Sequence, residues 1–277
     1  MGGYLRAALI ALAIPFLNRI FLALAGFVQL KSVSVSWADA IRAGAEVPLN
    51  FALVQAASVG VLFVVAFPHK SREEGFLEAV QVRPLLGSIV ALCFAAGLSL
   101  QFSLAEVGNL AQEIWPSSFD ELARRYQLVT PTTWWGGISA LIAFVLVAPV
   151  TEELVFRGWL LPMLQGRYGT RAALVWSSVL FGIVHGEPGA ILYATLGGLV
   201  LGAVALRTKS TLASIALHAG INATPLLLPV TLVRIEGFNT LSDQVEHISL
   251  WAILISILTV AGLLTVLWRS TEDEGPS

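Results

Sequence analysis

Six side chains in the second half of the sequence could do chemistry in apolar surroundings. Glu152, Glu153 and Arg157 fall in one apolar stretch, His185 in the next, and His218 with Asn222 in a later one. On a helix, Glu153 and Arg157 lie about 40° apart, an i,i+4 acid-before-base pair of the favoured polarity. Glu152 lies about 140° from Arg157 and escapes that pairing, so it is expected to face Phe156 and Trp159. A desolvated carboxylate beside aromatic rings, which no cation of its own helix reaches, is suited to act as a general base. For Glu153 and Arg157 the alternative is purely structural, an ion pair that holds helices together in lipid.

His185 closes the run Phe181-Gly-Ile-Val-His185, with Ser178, Phe181 and His185 on one helical stripe. Alone it would read as a hydrogen-bonded packing histidine. Thr211, Ser214, His218, Asn222 and Pro225 draw a second polar stripe along an apolar segment, with His218 and Asn222 one turn apart on the same face. Such a stripe in lipid faces protein or trapped water, and interhelical hydrogen bonding is the alternative to chemistry. Ser214 sits four residues before His218 on the same helix and points along it, which leaves no Ser or Cys nucleophile beside a base. Gly197, Gly198 and Gly202 include a G-x-x-x-G step and read as packing. The set as a whole holds a free carboxylate, a carboxylate paired with an arginine, two imidazoles and an amide. These groups can activate a water and stabilise an oxyanion, which is the chemistry of amide hydrolysis.

Glu152-Glu153-x-x-x-Arg157, Phe181-x-x-x-His185 and His218-x-x-x-Asn222, in this order within about 134–232, resemble the three signature motifs of the CAAX protease and bacteriocin-processing family. Its eukaryotic members are the type II CAAX prenyl endopeptidases. The resemblance implies an eight-helix intramembrane endopeptidase. In it Glu152 and His185 activate water and His218 and Asn222 form the oxyanion hole, with Glu153, Arg157 and Phe181 in support. It implies a peptide or protein substrate that reaches the membrane, lipid-modified ones included. No cofactor is expected. Two imidazoles and a glutamate could in principle ligate a catalytic zinc, but the histidines lack the H-E-x-x-H spacing that puts both on one helix face, and Glu152 is needed as the base. A non-catalytic scaffold or immunity-type protein, or a proton-coupled transporter using the same polar groups, is the competing class.

These residues must be held by membrane helices. Of 277 residues 56% are apolar and 12% charged, against about 25% charged in soluble domains, so lipid is the natural solvent. A span takes roughly 20 apolar residues, and eight windows meet that pattern: 4–30, 46–67, 84–105, 134–164, 171–187, 189–206, 210–232 and 249–268. The expected fold is an all-α polytopic bundle of about eight transmembrane helices forming a single domain over 1–277, with a short acidic tail at 269–277. Segment 117–128 reads as an amphipathic surface helix, with Ser capping and Asp120 and Glu121 in its first turn, and 36–43 as a weaker one. A net charge of −2 and the absence of finger or phosphate-loop motifs exclude nucleic acid and nucleotides as partners, leaving substrate and membrane lipids. Nine loop Lys and Arg on one side against five on the other favour both termini in the cytoplasm, in a plasma (inner) membrane.

One constraint follows from depth. At about 1.5 Å per residue, Glu152 lies roughly 27 Å beyond Trp134, His185 roughly 21 Å into its window and His218 about 12 Å into its own. They meet only if window four continues to about Leu164 and helices tilt around a cavity, with Pro149, Pro162 and Pro225 supplying bends.

Overall fold

The computed structural model describes residues 3–30, 35–45, 47–67 and 75–271. Among these every regular element is helical: α1 (Gly3–Gln29), α2 (Trp37–Ala45), α3 (Pro48–Ala66), the single-turn α4 (Phe76–Ala79), α5 (Gly87–Ile114) and α6 (Phe119–Val129). There follow α7 (Trp134–Tyr168), α8 (Thr170–Ile183), α9 (Pro188–Thr208), α10 (Thr211–Leu227) and α11 (Leu250–Ser270). Most of the acidic tail and part of the 70–83 loop lie outside the described residues. The protein is an all-α polytopic bundle. Six helices, α1, α3, α5, α7, α9 and α11, are long and apolar enough to cross a membrane. The lipid-facing sides carry exposed aliphatic residues such as Leu53, Val64 and Val65 on α3 and Ile255 and Leu258 on α11.

The two remaining windows are shorter than the spans expected of them. Instead of 171–187 the helix α8 has 14 residues, and instead of 210–232 the helix α10 has 17. The chain leaves α8 through Gly186, whose positive φ of 85° suits glycine, and Pro188 then opens α9 at a position where its missing N–H costs nothing. Ser210 caps α10 by accepting from the Leu212 N–H.

α7 resolves the depth constraint. It continues past Leu164 to Tyr168, where Gly169 (φ 79°) ends it. Pro149 and Pro162 each lack a backbone donor, and the helix is wound as π-helix over Leu141–Val147 and Leu154–Leu160, on either side of the two glutamates. α10 forms the centre of the bundle, with Ala213, Leu217, Gly220, Ile221 and Ala223 buried. α5 crosses it where Gly97 and Gly220 meet: a Cβ on Gly97 would collide with the Leu217 carbonyl oxygen, and one on Gly220 with that of Phe94. The backbones touch there because neither glycine has a side chain.

One end of the bundle is closed by α6 and the segment 228–249. Ser118 caps α6 by accepting from the Glu121 N–H, and Arg124 and Arg125 pair with Glu121. The segment has no helix of its own, so its backbone is held by side chains. The Asn239 amide donates to the Leu228 and Val233 carbonyls at 2.8 and 2.7 Å. Phe238 stacks on Phe102 at 4.6 Å. His247 Nδ1 donates to Glu106 at 2.7 Å and Nε2 contacts Glu113 at 3.3 Å.

Candidate active site

The expected pair on α7 forms. Glu153 and Arg157 side chains are fully buried, and Arg157 Nη1 donates to Glu153 Oε1 at 2.8 Å. Nη2 donates to the Gly198 carbonyl on α9 at 3.0 Å, and the guanidinium lies 4.4 Å from the centroid of the Phe181 ring. A Cβ on Gly198 would lie 3.2 Å from Arg157 Nη2. Gly198 therefore does more than pack, as its G-x-x-x-G setting suggested: its carbonyl is a direct partner of the buried cation. Glu153 Oε1 also accepts from His218 Nδ1 at 2.9 Å. Arg157 thus fixes Glu153, Glu153 fixes the His218 ring, and His218 Nε2 is left facing Glu152 Oε2 at 4.0 Å.

Glu152, His185, His218 and Asn222 all line one cavity of about 370 Å³, together with Phe181. Glu153 and Arg157 stand behind its wall. Glu152 is not paired with Arg157, as the wheel geometry requires, and Phe156 is beside it in the cavity wall. Trp159, also expected near Glu152, is elsewhere: it packs on Phe63 and Phe67 at 5.5 and 5.2 Å. The reason lies in the π-helical turn from Leu154, which advances each residue by a smaller angle than an α-helix and shifts Trp159 off the Glu152 face.

His185 does not sit within α8 but in the exposed turn that follows it. Its Nδ1 donates to the Phe181 carbonyl at 2.8 Å, which makes Nε2 the unprotonated nitrogen of the neutral ring, an assignment that follows from the hydrogen-bond network. Phe181 stands edge-on to both His185 and His218 and so spaces the two imidazoles. Asn222 spends one amide N–H on the Phe144 carbonyl at 2.8 Å. Ser214 donates to the Thr211 carbonyl within its own helix.

Two residues of the site were not expected from sequence. Gln55 of α3 donates to Glu152 Oε1 at 3.3 Å, and Asn18 of α1 donates to Gln55 Oε1 at 2.5 Å. Both line the cavity. The signal was an uncharged amide near the middle of each of two apolar windows, weaker than a charge but costly in lipid all the same. Among the described residues no group of three or more His, Cys, Asp or Glu side chains is arranged to hold a metal ion.

Residues 133–224 match the family described as type II CAAX prenyl endopeptidase Rce1-like. A curated relative, CAAX prenyl protease 2 of Rattus norvegicus, is 29% identical over 127 residues, which are 46% of this chain and 37% of that protein. The match thus spans little more than a third of the relative's length. No solved structure matches. The likeness read from the three motifs holds for the segment that carries them, while α1 to α6 lie outside the family match.

Proposed function

From the likeness of residues 133–224 to the type II CAAX prenyl endopeptidases, we propose that the chain is an intramembrane endopeptidase. It hydrolyses a peptide bond of a membrane-associated or lipid-modified substrate with a glutamate-activated water. The observation that carries this reading is the convergence of Glu152, His185, His218 and Asn222 on one cavity inside an apolar bundle.

In this mechanism a water sits between Glu152 and the unprotonated Nε2 of His185. Glu152 takes its proton as the oxygen attacks the scissile carbonyl, then delivers that proton to the leaving amine. The developing oxyanion is met by the second N–H of the Asn222 amide and by His218. With Nδ1–H given to Glu153, Nε2 is the His218 nitrogen that faces the cavity. When Glu152 takes the proton and the oxyanion forms, one negative charge moves across the cavity and the total charge of the set is unchanged, which suits a medium where net charge is costly. Glu153 and Arg157 hold His218 in place.

The test is cleavage of a fluorogenic farnesylated peptide by the detergent-solubilised protein. The wild type should cleave it, and Glu152→Gln should be slower by at least about 10²-fold, the scale of a lost general base. Equal rates for the two would remove the protease reading.

A further inference from the structure

Glu152 has a partner contributed from outside the segment that resembles a protease. Gln55 is 2% exposed, lies on α3, and its Nε2 is 3.3 Å from Glu152 Oε1. Behind it Asn18 on α1 donates to Gln55 Oε1 at 2.5 Å. The polarity of this chain is dictated from its far end. An ionised carboxylate only accepts, so Gln55 must present its NH₂ to Glu152. Its oxygen then faces Asn18, which must in turn present its own NH₂. Asn18 Oδ1 is consequently the atom left over, and it is buried without a partner among the described residues. An unmet buried acceptor costs about 1–3 kcal/mol, a cost that a fold-only amide pair would not need to carry in this orientation.

Resting on the endopeptidase reading, we propose that Gln55 is a positioning residue for Glu152. By binding Oε1, Gln55 turns Oε2 toward His218 and the cavity, and Asn18 locks the Gln55 amide against flipping. The base is then aimed by α3 while its own helix supplies no partner. The other charged or titratable groups around Glu152 and its cavity are Glu153 and Arg157 on α7, His218 on α10, His185 after α8 and Tyr193 on α9, whose hydroxyl donates to Gln101. From α3 and α1 the polar groups that approach it are the two neutral amides. The consequence is that the N-terminal helices, which the family match does not reach, complete the working site.

Gln55→Met tests this, since it keeps length and shape and removes both N–H donors. With the fluorogenic farnesylated peptide, kcat should fall about tenfold or more while KM stays within about twofold, the pattern of a misaimed group and not of lost substrate binding. The acidic limb of the rate profile should move to higher pH, because a donor that favours the ionised carboxylate has gone; a packing role alone would leave that limb in place. A fall in kcat of less than about twofold, or a rise in KM alone, overturns the proposal. A second measurement does not depend on turnover: melting temperatures in detergent for wild type, Gln55→Met, Glu152→Gln and the double variant. Non-additive shifts sustain the contact and additive ones sink it. If the wild type cleaves no farnesylated peptide, the endopeptidase reading fails by itself, and this cycle still decides whether Gln55 holds Glu152.

Discussion

At the residue scale the two adjacent glutamates make different contacts, a distinction that a motif match cannot draw. Glu153 carries the Arg157 guanidinium and the His218 ring on one oxygen. Glu153→Gln therefore leaves a buried cation short of its counter-charge, at a cost of about 3–5 kcal/mol, and the variant should melt at lower temperature and accumulate poorly. Glu152→Gln removes a carboxylate with no ion-pair partner on its own helix and should melt at or above the wild type while losing turnover. Melting curves and rates measured side by side check both, and the reverse pattern would exchange the roles. The same residue set bears on metal. A strong chelator should leave cleavage by the purified protein nearly intact and metal analysis should find no stoichiometric zinc, whereas loss restored by zinc would make Glu152, His185 and His218 ligands. The i,i+4 pair was legible in the sequence because its partners share one helix and charge in lipid is conspicuous. The Gln55 contact was not, because Gln55 is uncharged and its partner is 97 residues away.

At the element scale the helices were legible as apolar windows, but their ends and winding were not. α8 stops short at the turn that ends in Gly186, and α10 stops at the Leu228-Pro229 step although apolar sequence continues beyond it. The π-helical turns of α7 leave no mark in hydropathy, since they change which residues share a face and not how apolar they are. The segment 228–249 is fastened to α5 by His247, and that fastening depends on pH. Hydrogen bonding to Glu106 above all, and then to Glu113, raises the pKa of His247 above its ordinary 6.5. A raised folded-state pKa means stabilisation that is complete below the unfolded value and is lost as pH rises through the folded one. Deuterium exchange at the Ile248 amide, which donates to Glu106 Oε2 at 2.9 Å, should after correction for intrinsic rates be slower at pH 6 than at pH 8. His247→Gln should abolish the difference, and a difference that survives it would assign the effect to another group.

At the scale of the whole molecule, the distribution of Lys and Arg predicts which way the bundle sits. Reporters fused after Ser277 and in the 70–83 loop should signal from the cytoplasm and one in 117–128 from the opposite side; a C-terminus on the far side would reverse the bundle. The short helix α8 has a consequence for the lipid itself. Its 14 residues give a hydrophobic height of about 21 Å, some 9 Å less than an ordinary hydrocarbon core. Val175, Trp176 and Ile183 are exposed on its flank. A helix of this length set across a membrane is expected to thin the bilayer next to His185 and bring the headgroup layer closer to the cavity rim. Water and a substrate held at headgroup level then have less hydrocarbon to cross before they meet Glu152. Reconstitution in a series of phosphatidylcholines of increasing chain length should therefore slow cleavage in the longer lipids while leaving the rate in detergent unchanged, making membrane thickness a variable of the reaction.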